Sequence, residues 1–446
     1  MVIGFINENA VPMKRLLAGV AVLALVAASC ASSRDGIVAE FAGRDDTSTT
    51  VASLPNQSTT TTLLVPAEVE IAVLIETVEE VRELSFEGAP AIVRRPDAVV
   101  QAEYRRVHSY AGANASPHHN DFLEMLGVLI DGERIGDLEV IAPVPGVYDS
   151  ATGSILISSD VQELTPFGRL VLVGELVAAL TDQQFGWADQ MGRLEAAADE
   201  EGRDSLGALV NGDATFFSEL YVERFMSSTE RFAVQLERLK QEQAEDELPG
   251  FVKEYKAFDT LHARDLVVAL VSEGGIDELN RAYDNPPATS EQVYHTFRYF
   301  NNEGARLVDL PTVTVTNFEE VEAGVFGERG FRALLSAGVN SAQQLEAATG
   351  WGGDAYRLWW DGDHVVMLVF FEGDAARDAA SLAETLGRWA IEELPVGGGL
   401  TDNTGLAFEG VNSYAFVAQN DTGAILVVAS DPVAGKRLRD RFWPEY

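Results

Sequence analysis

Glu175 is the residue whose setting most asks for an explanation. It sits in "LVLVGELVAAL", a run from Leu170 to Leu180 in which nearly every other residue is apolar or small, and Asp182, Gln183 and Gln184 follow soon after. An isolated carboxylate in an apolar helix is costly to bury unless something pairs with it, so Glu175 needs either a partner or a task. Other chemistry-bearing residues are sparse. The histidines are His108, His118, His119, His262, His295 and His364, and the one cysteine is Cys30. His118 and His119 in "SPHHND" read as a loop, where adjacent residues seldom face one metal. A single cysteine forms no internal disulfide and leaves the body without a thiol nucleophile. No serine nucleophile arrangement is evident. "VGGGLTDNTG" follows a helix instead of a strand, so it reads as a connector and not as a phosphate loop.

The elements that must hold Glu175 can be read from periodicity. "PAEVEIAVLIETVEEVRELS" places Ile71, Leu74, Ile75, Val78 and Val81 on one helical face. "APAIVRR" reads as a strand, and "PDAVVQAEYRRVHSYAG" and "DFLEMLGVLIDG" as helices. "PGVYDSATGSILISS" reads as a hairpin. The Glu175 stretch follows as a helix, with Pro166 near its first turn. Residues 187–226 predict two helices, or one broken near Gly202, and charged helices continue to "NPP" at 285–287. From Ala288 the pattern changes to strands and hairpins, "RLVDLPTVTVTNF", "AYRLWWDGDHVVMLVFFEG" and "NSYAFVAQNDTGAILVVAS", with helices between and after them. The expected fold class is α+β: a mostly helical domain with a small hairpin over 66–287, then an antiparallel α+β domain over 288–446.

Five stretches, in order, carry a resemblance: "PGVYDSATGSILIS", "VLVGELVAALTDQQF", "ALVNGDATFFSELYV", "PPATSEQVYH" and "GWGGDAYRLWWDG". Together they resemble a family of bacterial zincin-type metallopeptidases of gluzincin layout, over roughly residues 66–360. The resemblance implies a zincin-like helical domain. In such a family two histidines at i and i+4 on one helix bind zinc, the glutamate between them is the general base, and a later helix supplies a glutamate as third ligand. Carried onto this chain, the base is Glu175, the histidine positions are Gly174 and Ala178, and the third-ligand position is Asn211. A hydrogen, a methyl and a neutral amide stand where zinc ligands are required. The resemblance therefore implies an inactive relative with no cofactor, zinc being expected only in active members. An oxygen-only set of Glu175, Asp182, Asn211 and Asp213 is the remaining metal candidate, for a hard cation held weakly. The family's motif histidine in the second half falls on His295. "GWGGDAY" is expected to pack Trp351 and Tyr356, with its glycines in a tight turn.

The N-terminus carries an address. Lys14 and Arg15 precede an apolar stretch from Leu16 to Ala28, then Cys30. This is the plan of a secretory signal over 1–29, too short to span a membrane, with Met13 the more natural start. "VAASC" resembles the lipobox of bacterial lipoproteins, in which the cysteine is lipidated. The Ser/Thr-rich residues 30–65 then read as a tether.

Composition bounds the partners. The 446 residues are 46% hydrophobic and 23% charged, with a net charge of −38. That charge argues against nucleic acid and anionic lipid headgroups as partners. The expectation is a lipid-anchored protein on the extracytoplasmic face of the cell membrane, catalytically inactive, that binds a peptide or protein of the cell envelope. The alternatives are an active secreted metal-dependent peptidase with a non-standard metal site, and a structural envelope component.

Overall fold

The computed structural model describes residues 66–442 except 114–115, 140, 311, 398 and 403–404. The signal, Cys30 and the tether lie outside the described residues. Those described belong to one compact unit, Leu63–Tyr446, and the chain is an α+β protein. No helix among the described residues is long and apolar enough to cross a membrane.

The helical region is organised on the Glu175 helix, Pro166–Phe185. Thr165 caps it by accepting the Gly168 N–H, Pro166 occupies its first turn, and Gly186 ends it at φ 63°, in the left-handed conformation that glycine adopts without steric cost. Leu172, Val173, Leu176, Val177 and Leu180 are fully buried. They pack with Leu206, Leu209 and Phe217 of the Asn211 helix (Glu200–Phe225) and with Ile71, Leu74 and Val78 of the first helix (Ala67–Arg82). The break expected near Gly202 falls at 197–199, because Ala198 turns to φ 53° and the Asp199 carboxylate caps the next helix through the Gly202 N–H. Farther on, the helix Gly250–Ala257 runs through a π-helical turn, Phe258–His262, into a helix that kinks at Gly274 and Gly275.

Beside these helices lies a three-stranded sheet of β1 (Ala91–Arg95), β2 (Gly146–Asp149) and β3 (Ser154–Ser158). β3 is central, parallel to β1 and antiparallel to β2, so β2 is an edge strand. The register of β2 sets Tyr148 opposite Ile155.

The C-terminal region is a seven-stranded antiparallel sheet. Its strands are β4 (Glu319–Gly324), β5 (Trp351–Trp360), β6 (Val365–Gly373), β7 (Leu400–Asp402), β8 (Gly405–Glu409), β9 (Tyr414–Asn420) and β10 (Gly423–Ala429), in the order β4-β5-β6-β10-β9-β8-β7. One face packs on the helix Ala376–Glu393 through Leu382, Leu386 and Trp389. The same core takes in Phe122, Leu126 and Phe251 from earlier in the chain, so the two sequence regions share it. The other face is covered by Leu310, Val313 and Val315 and by the helix Pro432–Phe442.

Two local expectations are corrected here. "RLVDLPTVTVTNF" is not a strand in its described residues. Val313 and Val315 do alternate inward, but the segment crosses the sheet as a strap, and side chains take up its carbonyls: Arg357 bonds Leu310 O and Arg441 bonds Thr314 O. Of the glycines of "GWGGDAY", only Gly350 lies in a turn; Gly352 and Gly353 lie in β5, with a bulge at its start. A Cβ at Gly353 would stand 2.3 Å from the Arg306 carbonyl, so close backbone approach explains the glycine.

Candidate functional site

Glu175 projects from the middle of its helix toward the edge of β2 and is 6% exposed. Both of its oxygens are engaged. Oε2 accepts the backbone N–H of Tyr148 at 2.8 Å, and Oε1 lies 2.9 Å from Nε2 of His108. His108 is the last residue of the helix Asp97–His108, and its ring packs 4.4 Å from that of Tyr104. Burial, together with the Glu175 charge, pushes the Tyr104 hydroxyl well above its ordinary range. Two turns along, Asp182 is also spoken for: it accepts the Tyr148 hydroxyl at 2.7 Å and the Ala188 N–H at 2.9 Å. The two carboxylates thus grip one residue, Tyr148, by its backbone and its side chain.

The ligand positions face elsewhere. Gly174 abuts the Asn211 helix, where a Cβ would stand 3.3 Å from Ser218 Oγ and 3.9 Å from Ala214 Cβ. An imidazole there would have to displace the serine. Ala178 is half-buried, and its carbonyl accepts the Trp187 indole N–H at 3.0 Å. Asn211 lies half-buried one turn before Ala214. Asp213 is fully buried, with the Arg82 guanidinium at 3.0 Å and the Tyr283 hydroxyl at 2.9 Å. Burial pushes the Asp213 carboxyl up, against the pull of Arg82. The oxygen-only set is therefore not assembled as free ligands: Glu175, Asp182 and Asp213 each serve a protein donor. Among the described residues, no three His, Cys, Asp or Glu side chains are grouped so as to hold a metal ion. Gly174, Ala178 and Asn211 offer none of the nitrogen, sulfur or carboxylate donors that zinc requires.

The remaining histidines are dispersed. His119 opens the helix His119–Met125 instead of sitting in a loop; its Nε2 meets the Tyr110 hydroxyl at 2.8 Å, and burial lowers its pKa to about 4. His118 packs on Trp360. His295 Nε2 lies 3.0 Å from Glu328, and His364 beside Asp361. His262, on the π-helical turn, is lowered by burial. His108 and Arg82 are the site residues that sequence reasoning missed. Neither belongs to a motif, and no local spacing links position 108 to 175 or 82 to 213.

A family model described as a domain of unknown function (DUF8575) matches residues 313–438. None of the curated proteins and none of the solved structures compared with the chain matches it.

Proposed function

We propose that this chain is a metallopeptidase-derived protein of zincin-like fold that binds without cutting, held at the extracytoplasmic face of the cell membrane through a lipid on Cys30. The observation that carries the proposal is the state of Glu175. A general base needs a free lone pair facing activated water, and here both carboxylate oxygens are taken by His108 and by the β2 backbone. The packing of Ser218 against Gly174 supports the same reading, because the helices have closed over the space a histidine would fill. A peptide or protein partner of the cell envelope would dock along the β2 edge, the kind of strand edge that accepts an extended chain. Glu175 must then release the Tyr148 N–H, and His108 is what holds the carboxylate there.

A second reading, a structural component of the envelope, draws on the same pair: with His108 holding Glu175 in place, the Tyr148 N–H is taken by the carboxylate and the edge is shut there. A His108→Ala variant separates the two. Tighter capture of an extended peptide supports docking at this edge, and unchanged capture supports the structural role. Membrane fractionation of a Cys30→Ser variant tests the anchor: release into the soluble fraction is expected, and full membrane retention would rule it out.

A further inference from the structure

We propose that the outward face of the helix Ser228–Glu245 docks on the same face of a second copy of this chain, with the two helices antiparallel. This surface is separate from the site at Glu175. An amphipathic helix ordinarily turns its apolar side to the core, and here the large apolar residues face out. Phe232, Leu236 and Leu239 are 71, 46 and 44% exposed. Spaced by four and three residues, they form one stripe. On the opposite side of the helix Val234 is buried, and Glu237, Arg238 and Gln241 are half-buried. The helix is held in this orientation at its start. The Ser227 hydroxyl accepts the Glu230 N–H at 3.3 Å, and the Glu230 carboxylate accepts the Ser227 N–H at 2.8 Å. Arg169 of the Glu175 helix pairs with Glu230, and Arg231 donates to the Met226 carbonyl at 2.9 Å.

The order of residues along the stripe points to what covers it. Thr229, Phe232, Leu236, Leu239 and Gln243, all exposed, run polar, apolar, apolar, apolar, polar. Read backwards, the pattern is the same, so the stripe complements itself across a two-fold axis through Leu236. Phe232 then meets Leu239 of the other copy, and the Thr229 hydroxyl meets the Gln243 amide. The flanks fit as well. On one side Gln235 faces Gln235 of the other copy and Ser228 faces Glu242; on the other, Lys240, already paired with Glu237 at 2.8 Å, faces Ala233. No charge on these flanks meets a like charge. A parallel pair would instead carry Glu242 toward Glu247 of the other copy.

The charge balance of the helix favours the same occupant. It carries three cations, Arg231, Arg238 and Lys240, against four carboxylates, Glu230, Glu237, Glu242 and Glu245. The whole chain has 32 cations against 70 carboxylates and a net charge of −38. Two such chains repel each other, and a near-balanced face with an apolar centre lets them approach, because charges beyond about 8 Å are largely screened at physiological salt. The helix is about 27 Å long at ~1.5 Å per residue. A face of that length falls at the low end of specific interfaces, below about 1,200 Å² in total, so the pair is weak and reversible.

The test is sedimentation of the full chain over a range of concentrations, with Leu236→Arg and Leu236→Glu alongside. A monomer–dimer equilibrium with a Kd on the order of 10 μM is expected. Each variant places like charges together on the two-fold axis and should weaken the dimer at least tenfold. An equimolar mixture of the two variants places opposite charges there and should dimerise again. Leu236 is exposed, so neither change disturbs the core. Phosphatidylcholine vesicles should carry down the unaltered chain and Leu236→Arg equally. The proposal is overturned by a chain that stays monomeric at about 100 μM, by a dimer that Leu236→Arg leaves intact, or by a mixture of the two variants that stays monomeric. Vesicle binding that Leu236→Arg abolishes would also overturn it, since the stripe would then meet lipid.

Discussion

Two regions of this protein bury carboxylates in different ways. Around Glu175, a single carboxylate in an apolar helix is satisfied by one imidazole and one backbone amide. Where the Gly327–Leu335 helix meets β5 and residues 289–291, ionisable groups crowd together. Glu201 accepts the N–H and hydroxyl of Ser290, Asp354 accepts the N–H groups of Phe326 and Gly327, and Arg329 joins Asp204 to Asp259. Burial pushes Glu201 up to about 8, Glu200 to about 7 and Asp354 to about 6. Strongly perturbed carboxyls are a common mark of a working site, but ion networks produce them too. Here they gather at a joint between elements and not around Glu175.

The largest effect is expected at the buried pair that joins the first helix to the Asn211 helix. Arg82→Ala leaves Asp213 buried and short of its cation, so a loss of about 3–5 kcal/mol in urea unfolding is expected. The double variant Arg82→Met, Asp213→Leu should lose less than the single one. If the single change costs under about 1 kcal/mol, the buried pair is not the anchor described.

The joint makes the next largest prediction, and its sign is opposite to that of ordinary salt-bridged carboxylates. Glu201 is raised from 4.5 to about 8 in the folded chain. Its contribution is complete below the unfolded value and is lost as pH rises through the folded one. The protein should therefore be more stable near pH 5 than near pH 8, by about 2–4 kcal/mol at ~1.4 kcal/mol per unit. Glu201→Gln should flatten that slope in thermal melts run across the range. A stability that climbs from pH 5 to 8 would contradict the assignment.

Smaller effects belong to Glu175. His108→Ala removes one of its two partners and should cost about 1–2 kcal/mol by chemical denaturation. Glu175→Gln should cost under about 1 kcal/mol, because the amide oxygen still accepts the Tyr148 N–H and its NH₂ group can face His108. Equal losses from the two variants would mean that the carboxylate charge matters as much as the imidazole.

How much of this was legible beforehand follows from which signals are local. The Glu175 helix was readable from Pro166, the Tyr148 hairpin from its alternation, and the β5–β6 and β9–β10 hairpins from "DGDH" and "NDTG". The strap misled because alternation reports one buried face, and Val313 and Val315 have that face without any ladder. Gly353 misled because close approach of a distant carbonyl, from Arg306, has no sequence signature. Glu175 could be singled out as a carboxylate needing a partner, but the partner could not be named. His108 is 67 residues away by number, and only the packing of the Asp97–His108 helix against β2 and β3 brings it near.

Glu175 clamps β2 to its helix, and the proposal stands on its not acting as a base. Zinc content and peptidase activity of the full chain, purified with zinc present, test it most directly, with Glu175→Gln alongside. Far less than one zinc per chain, no peptide cleavage, and no change in either on Glu175→Gln are expected. One zinc per chain, with peptide cleavage that Glu175→Gln abolishes, would contradict it.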